Sequence, residues 1–349
     1  MAGSWARVGR IARVDRGAVL VLEGPDHLRA PGSSDVSSDV SIRIVLDRDG
    51  LVPDADGTRH PPTVGDYATL GTRADGSACL GELLPRRTAL VRDSAGATAR
   101  TQALAANIDV VPVAEHLDPE PDLGRIERLL MLAWRSGARP VVVLTKDDLV
   151  TDGAVLGAEV AAVAPGVDVH VVSATAGTGL DPLRALLTPG TTVVIVGPSG
   201  SGKSTLINAL ARRELMVTGD LRSDGRGRHT TTHRELAVLS SGAVLIDTPG
   251  LRAVGVTGGA EAVGATFADI TSLAGLCRFN DCAHDREPGC AVQAALESGE
   301  LSERRFDNWR RVAREAARQA RRMDVRLAAA EKALWKQRAA SRRRPVRGP

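Results

Sequence analysis

Gly197-Pro198-Ser199-Gly200-Ser201-Gly202-Lys203-Ser204-Thr205 combines glycines, one lysine and four hydroxyls in the spacing that wraps a phosphate chain. The string follows the apolar stretch Val193 to Val196 and precedes Leu206 to Leu210, which reads as a helix, so strand, loop and helix stand in the required order. In that setting backbone N–H groups surround the β-phosphate at a helix N-terminus, Lys203 brings its charge to the β/γ oxygens, and Ser204 ligates Mg²⁺. Asp247-Thr248-Pro249-Gly250 ends the strand Ala243 to Ile246, 44 residues after Lys203. An Asp there holds Mg²⁺ through water, and the Gly250 amide senses a γ-phosphate.

A second chemistry precedes the first in the chain. Thr145-Lys146-Asp147-Asp148 follows the apolar run Val141 to Leu144 and matches an Asn/Thr-Lys-x-Asp pattern. A carboxylate at Asp148 accepts both the N1–H and the exocyclic amine of guanine, a donor pair adenine lacks, and acceptors left unpaired are what reject ATP. Thr145 stands where Asn is commoner and lacks its amide donor. Ser173-Ala174-Thr175, after Val167 to Val172, fits a second loop whose backbone N–H meets guanine O6. Most guanine-reading phosphate-loop enzymes carry these motifs in the opposite order, so the sequence is permuted.

Gly227-Arg228-His229-Thr230-Thr231-Thr232 lies between the phosphate loop and Asp247, where a switch supplies one of Thr230, Thr231 and Thr232 to Mg²⁺, with Thr231 the candidate. Leu251 occupies the place of the water-orienting Gln and cannot orient water. His229 is the nearest polar substitute; a solvated loop histidine is the competing reading. Gly200 replaces the Asn of potassium-activated relatives, so no potassium dependence is expected from that position.

Cys277, Cys282, His284 and Cys290 place three thiolates and one imidazole within 14 residues, a closed tetrahedral set of the kind that binds one structural Zn²⁺. Three of the four cysteines fall in this cluster, which suits a reduced compartment better than a disulfide scaffold.

Three regions must position these groups. Residues 1–90 show short strands near Ala6 to Val14, Ala18 to Leu22, Ile42 to Leu46, Asp66 to Leu70 and Cys79 to Leu84, with a long loop from Gly24 to Ser41, and predict a small five-stranded β-barrel. Residues 91–263 alternate apolar strands, the first at Asp109 to Val113, with helical segments such as Gly124 to Trp134, the texture of an α/β nucleotide domain with a parallel sheet. Residues 264–349 hold the Cys/His knot and a long helix-forming tail. From Arg304 onward 16 Lys and Arg oppose 4 Asp and Glu, a surplus of 12 positive charges that leaves a deficit of 9 on the rest. Arg311, Arg314, Arg318 and Arg321 share one helix face, and Arg342-Arg343-Arg344 follows; such a stripe neutralises RNA phosphates or is simply a solvated face. No run of about 18 apolar residues and no secretory pattern occurs, so a cytoplasmic protein is expected.

With base motif, second loop, phosphate loop, switch threonines, Asp-Thr-Pro-Gly and zinc knot in that order, the chain resembles the circularly permuted RsgA/YjeQ family, ribosome small subunit-dependent GTPase A. Thr63-Val64-Gly65-Asp66-Tyr67, Gln102-Ala103-Leu104-Ala105-Ala106-Asn107-Ile108-Asp109 and Glu287-Pro288-Gly289 add to the likeness, which spans nearly the whole chain. The resemblance implies an N-terminal OB-fold, a permuted GTPase domain and a C-terminal zinc domain. It also implies GTP hydrolysis stimulated by the small ribosomal subunit, late maturation or checking of the decoding region, rRNA as partner, and a monomer without membrane contact. Carried over, Lys146 and Asp148 read guanine, Gly197 to Thr205 hold phosphates and Mg²⁺, His229 is catalytic beside Leu251, and the Cys/His set binds zinc. With only Trp5 and Tyr67 as aromatics, the barrel is expected to meet RNA by charge and shape rather than base stacking. Two rivals stand. An ABC-like ATPase shares the phosphate-loop string but needs a Glu where Thr248 stands; a GTP-switched RNA-binding scaffold without appreciable hydrolysis is kept open by Leu251.

Overall fold

The computed structural model describes residues 7–23, 40–93, 101–211, 235–247 and 259–323. The chain divides into two compact units, one of residues 1–92 with 102–256 and one of residues 93–101 with 257–349.

In the first unit the N-terminal strands are β1 (Arg7–Asp15), β2 (Ala18–Glu23), β3 (Val40–Val45), β4 (Val52–Pro53), β5 (Arg59–His60), β6 (Tyr67–Thr72) and β7 (Ala78–Leu83). Five of them pair antiparallel in the order β3-β2-β1-β6-β7, and β4 with β5 forms a separate hairpin. Their period-two patterns turn Ile11, Val19, Val21, Ile44, Ala68, Leu70 and Leu83 into one apolar core. The five strands agree with the sequence expectation, while β3 starts at Val40, inside the segment read as loop.

After β8 (Ala89–Asp93) and β9 (Thr101–Ala106) come β10 (Val110–His116), helix α1 (Leu123–Ser136), β11 (Arg139–Thr145), α2 (Gly153–Ala162), β12 (Asp168–Val171), α3 (Asp181–Leu186), β13 (Thr192–Val193), α4 (Lys203–Ala211), β14 (Glu235–Val238) and β15 (Val244–Asp247). The sheet runs β12-β11-β10-β13-β15-β14, parallel except for β14. Continuous apolar runs suit strands covered on both faces: Val141, Val142, Val143 and Leu144 are wholly buried, each such side chain stabilising by about 1.5–3 kcal/mol. On one face Leu183 and Leu206 of α3 and α4 pack on Val110, Val141, Val143 and Val193. Helix α1 starts where the Asp122 side chain accepts the Arg125 N–H and stops at left-handed Gly137.

A join between the halves of this unit has no trace in the sequence pattern. β1 pairs antiparallel with β14 at Arg13 and Glu235, so the N-terminal strands continue the nucleotide sheet. Buried Arg10 crosses the same seam, donating to Asn107 O at 3.3 Å and Thr192 Oγ1 at 2.7 Å and lying 5.1 Å over the Tyr67 ring.

The second unit holds α5 (Ala260–Thr266), α6 (Ala268–Ala274), α7 (Ala291–Ser298) and α8 (Glu303–Met323). Helix α8 buries Arg305, Phe306, Asn308, Val312 and Ala316 at three- and four-residue spacing. The Arg305 guanidinium grips both Asp269 oxygens at 2.6 and 2.7 Å and lies 4.8 Å over Phe267, so this arginine pins α8 to α6. Arg311, Arg314 and Arg318 are exposed and Arg321 is half-buried, as the stripe requires; Arg342 to Arg344 lie outside the described residues. Among the described residues no helix is long and apolar enough to cross a membrane.

Candidate functional site

Parallel strands all end their C-termini at one edge of the sheet, and in this chain that edge carries every described nucleotide motif. The phosphate loop leaves β13 beside β10. Gly197, at φ 155°, sits where a Cβ would overlap the Ala114 carbonyl, so only glycine lets the loop press onto the neighbouring strand. Lys203 opens α4, and its ammonium donates to the carbonyls of Gly197, at 3.0 Å, and Pro198. Ser201 is buried and turns its hydroxyl to Pro198 O at 3.0 Å; Ser204 and Thr205 lie in the first turn of α4, with Pro198, Ser199, Gly200 and Gly202 forming the rest of the loop.

The loop that starts at Thr145, expected to read the base, is fastened to the loop of residues 197–205 by that residue. Its buried hydroxyl lies 2.9 Å from Ser201 O and 3.2 Å from Glu115 O, two carbonyls on the elements at either side. The amide missing at this position is thus replaced by a hydroxyl that makes the tie. Lys146 then adopts a left-handed conformation, φ 64°, and turns the chain into a 3-10 turn over Asp147–Leu149. The Asp147 N–H donates to Val172 O at 3.2 Å, which joins this loop to the one after β12.

Asp148 presents an exposed carboxylate whose Oδ1 accepts the Ser173 hydroxyl. That bond holds the Asp148 carboxyl below its ordinary range. Ser173 is itself set by Thr175 Oγ1 at 3.0 Å and the Ala176 N–H at 3.0 Å, and half-buried Ala174 lies between them. An ionised, oriented carboxylate beside a loop of backbone N–H groups is what a guanine edge requires. Asp247 ends β15, one strand from β13. His229, Thr230, Thr231, Thr232, Gly250 and Leu251 lie outside the described residues.

Sequence reasoning missed one pair at this edge. Glu115, fully buried at the end of β10, is held by Arg125 through two 2.7 Å bonds, and its backbone carbonyl is the one Thr145 uses. A charged residue at the end of the apolar run Val110-Val111-Pro112-Val113-Ala114 was the available signal.

In the second unit Cys277 Sγ, Cys282 Sγ, His284 and Cys290 Sγ place their ligand atoms within 4.8 Å of one another. A tetrahedral zinc with bonds of about 2.3 Å to sulfur and about 2.0–2.1 Å to nitrogen has S–S edges of about 3.8 Å and S–N edges of about 3.5 Å. The observed edges are 3.8 Å for Cys277 to Cys290, 3.6 Å for Cys277 to His284 Nδ1 and 3.5 Å for Cys290 to His284 Nδ1. The donor set therefore fits a tetrahedral metal. Glu287 holds the intervening turn by accepting the N–H groups of Asp285, Ala283 and Arg286, at 2.9, 3.0 and 3.1 Å, which lowers its carboxyl to about 2. Gln293 donates to His284 O at 2.6 Å, and Trp309 of α8 lies 5.7 Å from the imidazole ring.

Residues 83–257 match the model of the RsgA GTPase family. The chain is 46% identical over 336 residues to the small ribosomal subunit biogenesis GTPase RsgA of Streptomyces avermitilis, a match covering 95% of this chain and 85% of that protein. The chain belongs to the RsgA GTPase family. The RsgA of Streptomyces coelicolor is 45% identical, with 95% of this chain and 86% of that protein covered. Among solved structures, YjeQ from Thermotoga maritima superposes with a TM-score of 0.64 at 24% identity, covering 89% of this chain and 98% of that one. YloQ, a circularly permuted GTPase, gives 0.60 at 25% identity, covering 90% and 96%. This RsgA-family chain is accordingly a GTP-hydrolysing enzyme with a circularly permuted GTPase fold. The motif order is the permutation itself: β11 and β12, which lead into Thr145 to Asp148 and Ser173 to Thr175, precede β13 and residues 197–205, yet all lie side by side in one sheet.

Proposed function

We propose that this protein is a GTPase of small ribosomal subunit biogenesis, which binds the small subunit late in its assembly, helps mature or check the decoding region, and hydrolyses GTP faster when bound there. The observation that carries the GTP side is the Thr145 bond to Ser201, which fastens a guanine-reading loop to a phosphate loop across the permutation. The names of the two Streptomyces relatives support the ribosomal side, as does the exposed arginine stripe of α8. The three-part division at residues 1–90, 91–263 and 264–349, with the first part an OB-fold, belongs to the same reading.

In the proposed mechanism Thr145, Lys146, Asp147 and Asp148, with Ser173 and Ala174, seat the base. Gly197 to Thr205 enclose the phosphates, and Lys203 leaves the loop carbonyls to neutralise charge on the β/γ oxygens. Ser204, Thr231 and Asp247 would hold Mg²⁺, which supplies electrostatic stabilisation of the transferring phosphoryl group. Gly250 senses the γ-phosphate, and His229 orients or deprotonates the attacking water that Leu251 cannot handle. Zn²⁺ on Cys277, Cys282, His284 and Cys290 is structural, since four protein ligands leave no open position. The protein works in the cytoplasm as a monomer, with small-subunit rRNA and GTP or GDP as partners.

Leu251 supports a second reading, a GTP-switched RNA-binding scaffold with negligible turnover. Turnover of His229→Ala with and without small subunits tests the catalytic assignment. Loss of the stimulated rate is expected, and an unchanged stimulated rate removes His229 from the mechanism.

A further inference from the structure

The Thr63-Val64-Gly65-Asp66-Tyr67 string lies in the N-terminal strands, away from the nucleotide loops in sequence, yet the fold seats it against β15, the strand that ends at Asp247. Asp66, wholly buried, accepts the Thr63 N–H at 2.8 Å and is gripped by Arg86 at 2.7 and 2.8 Å, which fixes the turn. Gly65 stands at φ +90°, where a Cβ would overlap the Ala106 carbonyl and lie 3.0 Å from Ile246 Cδ1. Asn107 Nδ2 donates to Gly65 O at 3.0 Å, and the Ala106 N–H donates to Val64 O at 3.0 Å, so the turn is held in that contact. Ile246 immediately precedes Asp247.

A second line of contact reaches the same residue. Arg13 of β1 pairs with Glu235 of β14, and Glu235 pairs with Asp247 of β15, so three strands share one rung. Arg13 Nη1 also lies 3.7 Å from Glu235 Oε1. The two lines belong to one body, because Gly65 N–H donates to Ile11 O and Ile11 N–H donates to Asp66 O, both at 2.8 Å.

We propose that the N-terminal strands position Asp247 for its magnesium-dependent task, with Gly65 and the Arg13–Glu235 pair as positioning residues in the GTPase reaction. The proposal rests on the reading of Asp247 as a magnesium-side carboxylate. The turn fixes the strand laterally through Ile246, and the rung fixes its end along the ladder. Neither contact touches the guanine loops, so guanine affinity is independent of them.

The test is the Mg²⁺ concentration for half-maximal GTP turnover by the full chain, together with GDP affinity in EDTA. Arg13→Glu and Glu235→Arg should each raise the Mg²⁺ requirement about two- to fivefold, the scale of a partly exposed ion pair, and the double reversal should restore it when made together with Asp15→Asn, because Asp15 also holds Arg13, at 3.1 Å, and would repel a carboxylate placed there. Gly65→Ala should raise it by about tenfold, because strained backbone and a displaced Ile246 add together. GDP affinity in EDTA should stay unchanged throughout. If Gly65→Ala does not fold, the charge-reversal set carries the test alone. Asp247→Asn separates the two claims. No shift in that variant removes the magnesium reading and this proposal with it. A shift there with none in the charge reversals or Gly65→Ala overturns the positioning claim alone. A parallel loss of GDP affinity in EDTA also overturns it, since that marks general loosening.

Discussion

Thr145→Val removes one hydroxyl and keeps the shape of the side chain. In the parent protein that hydroxyl serves two carbonyls, Ser201 O at 2.9 Å and Glu115 O at 3.2 Å, in a position only 2% exposed. Withdrawing a donor from buried acceptors costs about 1–3 kcal/mol. The strand itself keeps its place, since the Leu117 N–H still donates to Thr145 O at 3.0 Å and the β10 to β11 ladder is untouched. The cost therefore falls on the spacing between the base-reading and phosphate loops, which a nucleotide must span. Expressed in GDP affinity it corresponds to a loss of about 5- to 150-fold. Fluorescent-GDP titration with thermal unfolding as control measures it, and Thr145→Ser, which keeps the hydroxyl, should bind nearly as tightly as the parent. GDP binding by Thr145→Val at parental affinity would refute the idea that this hydroxyl couples the two loops.

Three further outcomes follow from the site. Lys203→Ala should abolish GTP turnover, measured as phosphate release at saturating GTP, because the one lysine of the phosphate loop is gone. Ser173→Ala should let the Asp148 carboxyl return upward toward its ordinary range. The carboxylate contribution to GDP binding, present at neutral pH and lost as pH falls through that group's pKa, should then disappear at a higher pH than in the parent, as a GDP-affinity profile would read. Cys290→Ser should reduce bound zinc from one per chain to none by metal analysis and lower the unfolding temperature of the second unit. It should leave GDP affinity intact, since the nucleotide loops share no residue with the metal cluster.

Much of the molecule could be read from local pattern. Val141 to Leu144 is a continuous apolar run, and such a run becomes a parallel strand because only burial on both faces removes the alternation, whereas Val167 to Val172 alternates with Asp168 and His170 and forms the sheet-edge strand β12. The Cys277 to Cys290 knot was legible because its ligands are close in sequence, and the structure draws their donor atoms together. The helix read as Gly124 to Trp134 runs from Leu123 to Ser136, where Asp122 and Gly137 set the ends. What stayed hidden depends on contacts between distant residues. β14 is four residues long and meets β1 more than 200 residues away, a pairing no periodicity encodes. Glu115 reads as a solvated strand end until Arg125 of α1 is seen to close over it. The motif order likewise discloses nothing of the strand neighbour that β1 makes, hydrogen-bonded as it is to the strand beside Asp247.

The central claim is that this permuted site reads guanine and is driven by the small ribosomal subunit. Steady-state nucleotide turnover, with GTP and with ATP, in the presence and absence of purified small subunits, tests it most directly. The account predicts slow GTP hydrolysis by the protein alone, stimulation of many fold by small subunits, and no stimulated ATP hydrolysis. Equal GTP turnover with and without subunits, or ATP used as well as GTP, would contradict it.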